Sequence, residues 1–372
     1  MSRFLSKWVW SSCALACALL WIRFEAPASA LGPGRTQEGR PIEIPLGLDL
    51  HMPVPEANPL TAVKVNLGRS LFFDPILSSD QSLSCSGCHQ PGRAFTDGRA
   101  VSVGVLHRKG TRNVPTLINR GYGRSHFWDG RSASLEEQVL RPIQDPNELD
   151  MTVGEVVGRL HRDPDYPRLF DLAFGQAVSA ENLAKALASY VRTILSGNAP
   201  IDHYLNGQRN ALSEEARQGL GIFRGKANCI ACHVGPNFTD EKFHNSGVAW
   251  RSEPLDPGRF AVTGDPRDLG AFKTPTLRQI SRTAPYMHDG SIETLEDVVE
   301  FYDRGGKENP HLDPEIRPLG LTSREKRSLL TFLRSLTGVV REGVRSELEF
   351  SPAKDRRLGC IQSEERRGSQ ET

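Results

Sequence analysis

Apolar positions recur at helical spacing in several separated stretches of the chain. Val63, Leu67 and Leu71 stand at i, i+4 and i+8, which predicts a helix beginning at Thr61. A second helical pattern covers Leu135 to Leu140. A third covers Thr152 to Arg162, where Thr152 and Glu155 have the spacing of a capping box. Leu183, Leu187, Tyr190 and Ile194 share one face of a predicted helix over Ser179 to Leu195. A helix opening at Ser213 carries Leu220 and Phe223. The last predicted helix spans Thr322 to Leu336, with Thr322 and Glu325 as a second capping box and Gly338 as its C′ turn. Little of the chain alternates with period two, so the pattern predicts a mostly α protein with long loops.

Three stretches fall outside the pattern. Residues 1–30 read as a secretory signal: Arg3 and Lys7 precede an apolar run from Trp8 to Ile22, and Ala28-Ser29-Ala30 offers a small-residue cleavage site. The run is shorter than the ~20 residues of a membrane span, so export is expected, with membrane contact only through the signal peptide. Residues 31–60, rich in Gly and Pro, read as an N-terminal arm. From Val339 to Thr372, seven basic and seven acidic side chains with sparse apolar content read as a charged, disordered tail.

Across 372 residues, 46 Lys and Arg balance 45 Asp and Glu. Without a basic excess, nucleic acid is excluded as a partner. The length suggests two domains. Of the seven cysteines, Cys13 and Cys17 fall in the signal and Cys360 in the tail, leaving no disulfide framework. The other four form Cys85-Ser86-Gly87-Cys88-His89 and Cys229-Ile230-Ala231-Cys232-His233.

Each of these motifs matches covalent c-type haem attachment. On a helical turn, i, i+3 and i+4 share a face, so two thiols can bond the porphyrin vinyls while the histidine reaches the iron. Zinc is the competing reading, but ribbon pairs are usually about 15–20 residues apart. Here 144 residues separate the pairs, and each carries an adjacent histidine.

The chain also repeats itself at an offset of 160. Pro115-Thr116-Leu117 returns as Pro275-Thr276-Leu277, Asp129-Gly130 as Asp289-Gly290, and Leu135-Glu136 as Leu295-Glu296. The haem cysteines precede Pro115 by 30 residues and Pro275 by 46, so the second half carries an insertion of sixteen. Two copies of a haem-binding unit imply two packed domains whose differences mark function. At this offset Tyr302 corresponds to Pro142. Tyrosine is an established axial haem ligand and proline cannot ligate. An ordinary buried tyrosine is the bland alternative, and Met287 the other ligand candidate, although it maps to Phe127.

These motifs, with Phe127-Trp128-Asp129-Gly130-Arg131 in the first half and Thr283-Ala284-Pro285-Tyr286-Met287-His288-Asp289-Gly290 in the second, resemble the bacterial di-haem cytochrome c peroxidase and MauG family. The likeness runs roughly from residue 60 to 338. It implies two cytochrome c-like domains, a peroxidatic one over 61–205 on His89 and an electron-transfer one over 206–338 on His233. It places the second axial ligand of the second haem at Tyr302, fourteen residues after His288, as in the MauG branch. Glu148 and Gln138 match the family's distal glutamate and glutamine, Pro142 lines the same pocket, and Trp128 matches an inter-haem tryptophan. Asn113, Thr283 and Pro285 match the positions that bind one calcium ion. Ala227 stands near where MauG uses a tryptophan to reach its substrate. His107 is the imidazole nearest to Ser102-Val103-Gly104, after which typical peroxidases place a removable ligand; a solvated loop is the favoured reading for it.

The resemblance therefore implies a periplasmic peroxidase that reduces hydrogen peroxide at the His89 haem, drawing electrons through the His233 haem from a soluble cytochrome c or cupredoxin. A MauG-like enzyme that oxidises Trp or Tyr side chains of a partner protein is the alternative. A non-catalytic di-haem electron carrier is a third reading.

Overall fold

The protein is described here by a computed structural model covering residues 42–344 except Ser252. The signal, the start of the arm, and the tail from 345 with Cys360 lie outside the described residues.

Residues 42–60 carry turns and no helix. Helix α1 (Ala62–Phe73) begins where the pattern requires, with the Thr61 side chain accepting from Lys64 N–H. The first Cys-x-x-Cys turn is α2 (Cys85–Cys88). The single helix expected over Leu135–Leu140 is instead two short ones, α3 (Leu135–Gln138) and α4 (Arg141–Gln144). Pro142 has no N–H to continue the ladder and sits in the first turn of the second, where none is needed. Helix α5 (Val153–Arg162) has the expected capping box of Thr152 and Glu155. Helix α6 (Tyr166–Phe174), absent from the sequence reading, stops at left-handed Gly175.

Helix α7 (Ala180–Arg192) ends three residues before the expected Leu195, and strand β1 (Leu195–Gly197) follows. Helix α8 (Pro200–Leu205) leads to α9 (Glu214–Arg224), capped by Ser213. Strands β2 (Phe243–His244) and β3 (Phe272–Lys273) flank α10 (Phe260–Thr263). They pair antiparallel, Phe243 with Lys273 and His244 with Phe272. Helices α11 (Leu295–Asp303) and α12 (Ser323–Arg334) follow, the latter with the capping box of Thr322 and Glu325.

Two expectations fail at the end of α12. The helix stops at Ser335, whose N–H bonds back to the last carbonyls, so Gly338 is not its C′ turn. Gly338 lies instead against β1, where a Cβ would come within 2.2 Å of Gly197 O. The tail does not begin at Val339 either: β4 (Val339–Arg341) pairs antiparallel with β1, and Val340 and Val344 pack on the first core. These apolar side chains have a surface to bury, which composition alone did not reveal.

Among the described residues two large hydrophobic cores form, beside a small cluster of Leu48, Met52 and Leu195. The first gathers Leu67, Leu71, Phe95, Phe170 and Tyr190; the second gathers Leu220, Phe223, Val299, Phe332 and Leu336. Each has one close helix crossing. A Cβ on Gly68 of α1 would lie 1.9 Å from Ala186 O of α7, and a Cβ on Gly219 of α9 would lie 1.9 Å from Ser328 O of α12. The offset of 160 has a structural counterpart. Left-handed backbone occurs at both Asn119 and Gln279, and at both Phe127 and Met287. The bridge His126–Ser132 returns as Tyr286–Ile292. Thr116 Oγ1 donates to Ala94 O at 2.6 Å, and Thr276 Oγ1 to Asn237 O at 2.6 Å.

Candidate functional site

The first Cys-x-x-Cys-His segment turns as a single helical loop, with His89 N–H bonded to Cys85 O at 2.9 Å. The chain then reverses through left-handed Ala94 and Phe95. This brings Phe95 O to 3.1 Å from His89 Nδ1. Burial pushes the imidazole down to about 4, so it is neutral at neutral pH. With Nδ1–H donated, Nε2 keeps its lone pair for a metal. The second copy does the same: His233 Nδ1 lies 3.0 Å from Phe238 O, with Phe238 again left-handed.

His89 and Cys88 line a cavity of about 540 Å³ that also receives Gln138, Pro142, Glu148 and Trp128. Cys85 packs at the edge of the first core. Burial, reinforced by the charge of Asp145 and opposed by Arg131, pushes the Glu148 carboxyl up to about 7. A carboxyl there can both take and return a proton near neutral pH. Asn113, Thr283 and Pro285 line the same cavity. Among the described residues no three His, Cys, Asp or Glu side chains are grouped to hold a metal, so a cation held by these three would rest on neutral oxygens. His107 is exposed and is not among the lining residues. Its loop is closed by the Val103–Lys109 bridge and an Arg108–Asp150 ion pair of 2.7 Å.

Cys229, Cys232, His233, Ala227 and Tyr302 line a second cavity of about 220 Å³. Tyr302 comes from α11; burial pushes its phenol up to about 12. His244, also lining it, sits between Asp313 at 2.6 Å and Asp240 at 3.0 Å. Hydrogen bonding to Cys232 first, then to Asp313 and Asp240, outweighs its burial and raises it to about 10. Met287 lines both cavities.

Trp128 also lines both. Its Nε1 donates to Asn113 O at 2.9 Å, and its carbonyl accepts from Lys273 N–H at 2.8 Å. Next to it, Arg112 bridges Asp129 and Asp256, each at 2.7 Å. Asp256 belongs to the longer second-half connection, which is thereby fastened to the first half.

These residues fit covalently held haem. Among the described residues the four cysteines are free thiols, two on each turn, and each turn presents an imidazole with Nδ1 engaged. The chain matches the family model described as di-haem cytochrome c peroxidase over residues 62–210. It is 42% identical over 289 residues to the methylamine utilization protein MauG of Methylorubrum extorquens, an alignment covering 77% of this chain and 81% of the relative. The chain belongs to the di-haem cytochrome c peroxidase and MauG family. It is also 34% identical over 292 residues to cytochrome c551 peroxidase of Nitrosomonas europaea, covering 77% and 83% of the two chains. The crystal structure of a MauG-like protein associated with microbial copper homeostasis superposes with a TM-score of 0.73 at 34% identity, covering 82% of this chain and 96% of that one. The protein is therefore an oxidoreductase of a di-haem peroxidase family, and membership implies two haem c groups.

Sequence reasoning missed Lys273, Arg120, Glu241, His126 and His244. The repeat offered one signal, since Lys273 stands at the place of Asn113. The others carry no motif and meet only through the fold.

Proposed function

We propose that this protein is a periplasmic peroxidase that reduces hydrogen peroxide to water in the His89 cavity, with electrons entering at the His233 site from a soluble cytochrome c or cupredoxin. Bound at the two Cys-x-x-Cys-His turns, the haems would supply the iron that meets peroxide and the store for electrons. The observation that carries the reading is the asymmetry between cavities. Pro142, which cannot ligate, lines the first with His89, whereas the phenol Tyr302 lines the second with His233.

In the first cavity Glu148 takes the proton of the incoming peroxide and returns it to the departing oxygen. Gln138 orients the peroxide beside it, and Pro142 keeps the approach free of a competing ligand. Trp128, lining both cavities, is the oxidisable ring between the two sites. His107 stays a surface residue. Most of the first core belongs to a peroxidatic domain, 61–205, and most of the second to an electron-transfer domain, 206–338, while Val340 and Val344 return to the first and Ala199 and Ile201 join the second. Asn113, Thr283 and Pro285, which line the same cavity, would be the residues that hold one calcium ion. Among the described residues no helix is long and apolar enough to cross a membrane.

A MauG-like modification of Trp or Tyr side chains on a partner protein is the second reading, favoured by Tyr302 and the 42% identity to MauG. Electron paramagnetic resonance of the oxidised holoprotein, before and after one equivalent of peroxide, tests the shared core of both. One high-spin signal that peroxide abolishes is expected beside one low-spin signal. Two low-spin irons inert to peroxide would leave only an electron carrier. Turnover with reduced cytochrome c then separates the two enzymes, since negligible turnover across many donors favours the protein modifier.

A further inference from the structure

Arg120, Glu241 and Lys273 form a buried cluster in which Lys273 lines both cavities and Arg120 the first. Their side chains are 8–9% exposed. Glu241 is committed to Arg120, with both oxygens bonded at 2.7 and 3.1 Å. It also accepts from Arg124 N–H at 3.3 Å. The Lys273 ammonium lies 3.9 Å from Glu241 Oε2, beyond hydrogen-bond reach. Two cations thus share one carboxylate, and the surplus positive charge is on Lys273.

Among the described residues no carboxylate other than Glu241 pairs with Lys273. Burial first, then the charges of Arg120 and Lys273, push His126 down to about 3, so it is neutral and offers no anion. Arg192, the remaining charge near this imidazole, is paired with Glu136 at 2.7 and 2.9 Å. The other cations lining the first cavity are already matched: Arg112 with Asp129 and Asp256, and Arg131 with Asp129. Burial, then the charge of Arg120, pushes Lys273 down to about 7 despite Glu241. A buried ammonium that shares its one carboxylate with a guanidinium is under-compensated, and the usual remedy is an adjacent anion.

Resting on the two-haem reading, we infer that Lys273 is the counter-charge for the carboxylate edge of a bound porphyrin at the boundary between the two cavities. Haem c carries its thioethers on one edge and two propionate carboxylates on the other. The cysteines fix the first edge; Lys273 supplies the cation for the second. In the holoprotein the lysine would then stay charged through neutral pH, and its positive charge would favour the reduced state of that haem.

The test compares the holoprotein with Lys273→Met and Lys273→Arg, reading haem content per chain and the midpoint potential of each haem from pH 6 to 8. Two haems and a lowered potential in K273M, with K273R like wild type, are expected. Two haems with both potentials unchanged in K273M would overturn the inference. Should K273M not assemble, K273R decides, because a guanidinium does not titrate in this range. Matching pH curves for wild type and K273R support the assignment. An inflection near pH 7 present only in wild type would overturn it. Fewer than two haems in wild type would sink the di-haem reading itself.

Discussion

Asn113 and Lys273 stand 160 residues apart, at the same position of the repeat, and hold one residue between them. The Trp128 indole donates to the first and the Trp128 carbonyl accepts from the second. Both anchors are backbone atoms, so the place of the indole is set by the fold of both halves. Trp128→Phe removes one neutral hydrogen bond, worth about 1 kcal/mol. The expected fall in Tm is about 2–4 °C. Both haems should be retained while redox equilibration between them slows, as followed by stopped-flow absorbance.

Glu148 sits on a turn that is tied to the His107 loop, since Val105 N–H donates to Glu148 O at 2.9 Å. Its carboxyl, raised to about 7, loses its proton-accepting form as pH falls through neutrality. The peroxide step of wild type should therefore slow below about pH 7. Glu148→Gln should slow it by roughly 10²–10⁴ and abolish that limb. Rapid mixing with peroxide across pH 5–9 checks both, and an unchanged rate would remove Glu148 from the chemistry.

Two glycines of one helix should respond in opposite directions. At Gly219, where α9 meets α12, a Cβ would stand 1.9 Å from Ser328 O and 2.7 Å from Phe332 Cβ. The gain in helix propensity on Gly219→Ala is at most about 1 kcal/mol, while overpacking costs about 1–3 kcal/mol. The clash wins and Tm should fall. At Gly221 a Cβ would meet nothing within 4 Å, so Gly221→Ala should raise Tm. Thermal unfolding of the two variants side by side decides it.

Burial would raise the Glu241 carboxyl, but the charges of Arg120 and Lys273 outweigh it and hold it at about 2. Because the folded value lies below the usual 4.5, the stabilisation is complete above that pH and is lost as pH falls toward 2. Its size is of the order of 3 kcal/mol. Glu241→Gln should be markedly less stable than wild type at pH 6 and approach it only near pH 2. Urea titrations at the two pH values measure the difference.

The helices could be read along the chain because their signals are local. The caps at Thr61, Thr152, Ser213 and Thr322 all accept the hydrogen bonds their spacing implies. Both haem motifs were equally legible, since two thiols and an imidazole must share one turn. What could not be read depends on distant partners. The expected helix runs on to Leu195, yet that residue opens a strand because Arg341 lies opposite it. Lys273 has no neighbour in sequence that signals burial; its partners come from positions 120 and 241. The Nδ1 partners of His89 and His233 require left-handed backbone at Phe95 and Phe238, residues with no propensity for it.

Strand β4 reaches the chain from beyond the second core yet is seated on β1 and the first. A protease cutting the exposed stretch around Leu205 to Asn210 would therefore nick the backbone without freeing either fragment. The severed pieces would co-migrate under native conditions and part only in denaturant.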